Sequence, residues 1–273
     1  MILLHVAVAA LYLLTAVALW PQFAPPRASG SGPATFPASI AVWLLSAALL
    51  FHGAIAWRDI ATPQGLDLSF ANAVSVVAGL VAAVTWMTGL LSALPAIGSV
   101  VLPVAAGASL LPALLTNPHR FEYGGETLAA AHVAVALISY AMFLVAAMEA
   151  LVLMGLEKRL RRRLPDPESA ALPPLLTLER FLFRLVAAGF LLLTLTLASG
   201  MLFTEQLFGK PLMFTHKTLF SVLGWLTFGA LLFGRWRYGW RGRVALRWII
   251  VGTVFVFLAY LGSKFVLEVL LGR

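Results

Sequence analysis

Five histidines, His5, His52, His119, His132 and His216, are the side chains of this sequence best suited to chemistry. Neutral imidazole is a ligand for transition metals, and two imidazoles facing one another across a helix bundle bind a haem iron axially. There is no cysteine, so zinc–thiolate, iron–sulfur and thiol-redox chemistry have no ligands. His132 and His216 each lie about one turn into an apolar run. At 1.5 Å per residue that is roughly 4–8 Å below the start of a helix, so the two rings share a depth if both helices start at the same face. They are the candidate axial pair, the metal they would hold being haem iron. His5 and His52, near the ends of neighbouring runs, are candidates for a second cofactor-binding pair. His119, beside Arg120 and Glu122, reads as a solvated loop residue. Met201 and Met213 are alternative axial ligands, although a Met in an apolar helix is ordinarily packing.

These side chains are positioned by apolar runs. Of the 273 residues 61% are hydrophobic and 11% are charged, against about 25% charged in a soluble domain. An ordinary soluble enzyme is excluded, because such a chain cannot cover a water-facing surface. The reading is an all-α polytopic membrane bundle of about eight helices, in a single integral domain over residues 1–273. Residues 1–127 hold four spans, Met1–Trp20, Phe36–Trp57, Leu68–Leu91 and Leu94–Leu115. Residues 128–273 hold four more, Leu128–Leu156, Phe181–Phe203, Met213–Phe233 and Ala245–Leu270. The fourth is interrupted by Pro95, Pro103 and Pro112, which neighbouring helices can accommodate. The first lacks a basic leader and reads as a retained helix. No internal repeat is evident.

Orientation follows from the basic residues. Lys158, Arg159, Arg161, Arg162, Arg163 and Arg180 follow span five, and Arg235, Arg237, Arg241, Arg243 and Arg247 follow span seven. These two loops hold most of the 19 basic residues and lie two spans apart, so both are read as cytoplasmic. Both termini are then periplasmic, and all five histidines fall toward the outer face. The net charge of +8 reads as topology anchoring in the lipid bilayer, not as nucleic-acid binding. Trp20, Trp57, Trp236 and Trp240 mark the interfaces. Glu149, toward the cytoplasmic end of span five, is snorkelled or paired with Arg159, or is functional. Lys217 could meet a haem propionate or a lipid phosphate, and Lys264 and Glu268 form an i,i+4 pair. Asn72 and Ser75 are placed to hydrogen-bond across the bundle. Thr194, Thr196 and Ser199 read as hydroxyls bonding their own backbone. No nucleophile elbow, P-loop or His-Glu-x-x-His motif is present, so bond-making catalysis is not expected. Three functions remain: haem handling, a transporter or efflux accessory, and a cofactor-free scaffold.

The stretch His132-Val-Ala-Val-Ala-Leu-Ile-Ser139-Tyr140 resembles the start of the corresponding helix in the cytochrome c assembly superfamily, which includes the CcsA and CcmC haem-handling proteins. Pro173–Gly200, His216–Ser221, Gly239-Trp-Arg-Gly-Arg243 and Ala259–Lys264 resemble its YpjD branch, eight-span bacterial inner-membrane proteins related to HemX. Leu68–Asn72 is a looser match. The resemblance implies an outer-face site for haem (heme b), with His132 one axial ligand. It also implies cytochrome c biogenesis or haem delivery, with biogenesis components as partners. Haem-delivering members carry a tryptophan-rich motif ending in Trp-Asp between the helices matching spans six and seven. The segment Thr204–Thr215 contains neither Trp nor Asp. His216 is the sole candidate here for the second histidine of those relatives.

Overall fold

The computed structural model describes residues 2–23, 38–62, 65–115, 120–121, 127–161, 175–202 and 215–266. Among them eight helices are long and apolar enough to cross a membrane. The first four are α1 (Ile2–Phe23), α2 (Ala38–Ile60), α3 (Phe70–Met87) and, after the short α4 (Leu90–Ala93), α5 (Pro95–Leu114). The second four are α6 (Thr127–Arg161), α7 (Leu175–Leu202), α8 (His216–Tyr238) and α9 (Gly242–Phe257), which runs on into a π-helical turn at Leu258–Gly262. Leu3, Trp43, Leu50, Leu191 and Phe233 are exposed on their outer surfaces. Apolar side chains on both the packed and the open face of a helix are what a lipid-embedded bundle requires.

Local sequence sets the helix ends. Ser69 caps α3, its hydroxyl accepting from the Asn72 amide. Gly89 takes the left-handed conformation that separates α3 from α4. Pro95 opens α5, where a missing N–H costs nothing, and Pro103 and Pro112 sit inside the same helix without ending it. Gly239, at φ 66°, terminates α8 and turns the chain into α9.

Each half closes into a ring of four helices. In the first half the order around the ring is α1–α2–α3–α5, and in the second α6–α7–α8–α9; α3 against α6 joins them. Three short antiparallel strands lie beside the first ring: β1 (Ala61–Thr62), β2 (Gly65–Asp67) and β3 (Arg120–Phe121), in that order, with Leu66 opposite both Ala61 and Phe121.

The second ring has a defined central layer. Phe143 of α6 and Phe228 of α8 stack face to face with ring centres 3.8 Å apart, joining two helices diagonal in the ring. The other diagonal supplies glycines. A Cβ at Gly252 of α9 would sit 2.8 Å from the Phe228 ring, and one at Gly189 of α7 would sit 3.1 Å from Phe143. Thr253 closes the layer, its hydroxyl donating to the Phe143 carbonyl at 3.2 Å. Two large rings thus occupy the axis because the two flanking helices carry no side chain there.

One end of this half carries the arginines. Arg235 of α8 pairs with Glu179 of α7 at 3.1 Å and lies over the Phe183 ring at 4.4 Å. Arg243 of α9 reaches Glu157 of α6 at 3.5 Å. The opposite end carries the histidines.

Candidate functional site

His132 is the best-formed candidate. It lies in the second turn of α6, half-buried, with Nδ1 2.8 Å from the Ser199 hydroxyl of α7. The Ser199 hydroxyl donates its one proton to the Thr196 carbonyl at 3.1 Å. The same hydroxyl thus meets both the Thr196 carbonyl and the His132 ring, and holds the ring against α7. A hydrogen bond from the far ring nitrogen is the usual device that orients a metal-ligating imidazole. Gly200 lies beside the ring, where a Cβ would be in ordinary contact, 3.5 Å from His132 Cε1.

His216 sits at the same level. Ser139 donates to the Gly189 carbonyl while His132 bonds Ser199, so α6 and α7 run antiparallel. Trp225 donates to Thr194 while Arg235 pairs with Glu179, so α7 and α8 do likewise. The diagonal helices α6 and α8 are therefore parallel. His132 stands eleven residues before Phe143 and His216 twelve before Phe228, so both lie roughly 16–18 Å from the stacked rings. His216 is not one turn into its helix as expected, however; it is the first residue of α8, and it is exposed. By helical phase His132 lies within about 20° of Phe143, facing the ring's axis, whereas His216 is about 120° around from Phe228. Phe220, one turn below His216, stacks toward Phe255 of α9. His132 thus leans on α7 and His216 lies on the α9 side of the same mouth. The residue of α8 in phase with Phe228 is Lys217, which is half-buried.

His5 and His52, the candidates for a second pair, are each 4% exposed and lie among polar groups of the first ring. His5 Nδ1 donates to the Ser109 carbonyl at 2.7 Å, and Nε2 lies 3.2 Å from the Asp59 carboxylate. His52 Nδ1 pairs with the Tyr12 hydroxyl at 3.0 Å and Nε2 with Ser75 at 2.9 Å. These contacts tie α1, α2, α3 and α5 together. Asn72 donates to the Asp67 carbonyl just ahead of its own helix at 3.0 Å and to the Asp59 carbonyl of α2 at 3.5 Å.

Other candidates fall elsewhere. Met201 is exposed, and His119, Met213 and residues 204–214 lie outside the described residues. Glu149 is wholly buried, and neither carboxylate oxygen has a hydrogen-bond partner among the described residues; the side chain of Arg159, its suggested partner, lies outside them. Sequence reasoning missed Ser199 as the partner of His132. The signal was available: counted from the histidine end, both stand at one depth on consecutive spans.

A polytopic helix bundle with an oriented histidine at the mouth of its second half defines the class of molecule. Residues 40–271 match the family model for the cytochrome C assembly protein, and the chain belongs to that family. It is 38% identical over 141 residues to an "Uncharacterized 28.8 kDa protein in nifR3-like 5'region" of Azospirillum brasilense, covering 52% of each chain. It is 33% identical over 139 residues to the inner membrane protein YpjD of Escherichia coli K12, covering 51% of this chain and 52% of that one. Similarity to the cytochrome c biogenesis protein CcsA of Thermosynechococcus vestitus is 27% over 213 residues, 63% of this chain and 67% of the relative. The chain thus spans about half the length of the first two relatives. No solved structure matches it.

Proposed function

We propose that this is a haem-handling protein of the bacterial inner membrane that acts in cytochrome c biogenesis. It holds a b-type haem at the periplasmic mouth of the second helix ring. Family membership and the similarity to CcsA support the biogenesis role, and similarity to YpjD supports the inner membrane. The observation that carries the haem reading is the 2.8 Å contact between His132 Nδ1 and the Ser199 hydroxyl, which orients the imidazole through one ring nitrogen as metal-ligating histidines are usually oriented. That donor chemistry fits haem iron, and the absence of cysteine leaves imidazole the best ligand available.

In this reading His132 would hold the haem iron, and His216, exposed at the same level on the parallel helix, would be the second residue to hold it. Haem supplies the redox-active iron, and the protein supplies ligation, an apolar cleft and orientation. No covalent step is assigned to the chain, which acts as a carrier and not as a catalyst.

The test is purification in mild detergent followed by titration with ferric haem. The wild type gives a Soret band of one haem per chain, His132→Ala loses it, and His216→Ala weakens it. A preparation that stays colourless throughout the titration contradicts the reading and favours a cofactor-free scaffold.

A further inference from the structure

The arginines of the second ring fall into two groups. Arg235 and Arg241 turn to Glu179, at 3.1 and 3.8 Å, and Arg243 turns to Glu157. Arg180 and Arg184 of α7 and Arg247 of α9 are exposed instead. Among the described residues none of these three has a side-chain hydrogen bond or ion pair. Helical phase puts them on the faces turned away from the ring. The exposed stripe of α7 runs through Leu176, Arg180, Arg184, Leu191 and Leu195, and that of α9 through Val244, Arg247, Val251 and Val254. Apart from the arginines, these are apolar residues of the kind that meet lipid.

Depth follows from the phenylalanine layer. Gly189 and Gly252 stand in that layer, near the midpoints of α7 and of α9 with its π turn. Arg184 and Arg247 each come five residues before the glycine of their own helix, about 7.5 Å along the axis. Half the hydrocarbon thickness of a bilayer is about 15 Å, so both backbones lie within it. Charges at such depth are costly and ordinarily face the protein interior or a water-filled cavity. Helix direction resolves the conflict. Both α7 and α9 start at the arginine end, and Cα–Cβ bonds tilt toward the start of a helix. Both side chains therefore lean toward the nearer headgroups, and their long stems carry the guanidiniums up to phosphate level. Arg180 and Arg184 also share one stripe a single turn apart, with only Phe181, Leu182 and Phe183 between them. Like charges at that spacing repel, and an anion bound by both turns the repulsion into a clamp.

We propose that Arg180 and Arg184 bind the phosphate of an anionic phospholipid on the lipid-facing side of α7, and that Arg247 forms a second such site on α9, diagonal to it in the ring. Guanidinium forks match phosphate oxygens in pairs. The occupant is a lipid and not a free anion because each site continues into an apolar stripe, Leu191 and Leu195 on α7 and Val251 and Val254 on α9, along which acyl chains lie.

The experiment is native mass spectrometry of the full-length protein, stripped of lipid in detergent and titrated with phosphatidylglycerol or phosphatidylcholine. The wild type retains two phosphatidylglycerols per chain and binds them about tenfold or more tightly than phosphatidylcholine. Arg184→Gln loses one, Arg247→Gln loses the other, and the double variant shows no preference. Arg184→Lys, which keeps the charge, retains its site at reduced affinity. A melting midpoint equal to that of the wild type in lipid-free detergent shows that each variant is folded. Millimolar inorganic phosphate leaves the lipid bound; phosphate that displaces it fully makes this a free-anion site and overturns the proposal. A wild type that does not distinguish the two lipids, or a double variant that still does, overturns it as well. So does a second membrane protein that copurifies with the wild type, blocks lipid binding and is lost from the double variant.

Discussion

At the scale of single residues, what separates the four candidate histidines is who holds their nitrogens. Ser199 holds His132 at Nδ1. His52 is hydrogen-bonded at both nitrogens, and His5 at Nδ1 with the Asp59 carboxylate 3.2 Å from Nε2. Ser199→Ala should then leave the fold intact and weaken haem binding about 10–100-fold, the usual cost of losing a partner that orients a metal ligand; haem titration reads it. His52→Ala should behave in the opposite way. It leaves Tyr12 and Ser75 without their buried partner and costs about 1–3 kcal/mol of stability. The check is a lower detergent-melting midpoint together with an unchanged Soret band. These distinctions were only partly legible in the sequence. Histidine type and depth along a span can be counted, and that pointed to His132. Whether a buried ring is already satisfied depends on residues such as Ser109 and Asp59, which lie far from His5 in the chain. No local pattern announces them.

At the scale of elements, the second ring is organised by a layer in which two phenylalanines meet because two glycines stand aside. Gly252→Val should clash with Phe228 and destabilise the protein by about 1–3 kcal/mol. Because the Phe143–Phe228 stack sets the register of α6 against α8, the same change should lower haem affinity without touching a ligand. A stability measurement paired with a titration tests both effects. All eight spans were legible from hydropathy alone, since about 20 apolar residues are needed to cross a bilayer. Three details were not. The helix of span seven starts at His216, three residues later than the apolar run, because hydropathy does not mark where helical hydrogen bonding begins. The ring order of the helices arises from contacts between spans, which periodicity within one span does not encode. The π turn in span eight shifts the phase by one residue, and a strict α-helical count passes over it.

At the scale of the whole molecule, the account gives the bundle two unlike ends. Arginines knit one end through Glu179 and Glu157, and the histidines gather at the other. We propose that the arginine loops lie in the cytoplasm, which would place both termini and the histidine mouth in the periplasm. The native chain has no cysteine, so single cysteines can report this directly. In sealed cells a membrane-impermeant maleimide should label Asn117→Cys and spare Ser169→Cys; the reverse pattern would invert the topology. The central claim is that His132 and His216 share one iron at that mouth. Electron paramagnetic resonance of the ferric haem-loaded protein tests it most directly. The account predicts a low-spin bis-imidazole signal in the wild type that turns high-spin in His216→Ala and disappears in His132→Ala. A wild-type spectrum that is already high-spin, or a low-spin signal untouched by His216→Ala, would contradict it.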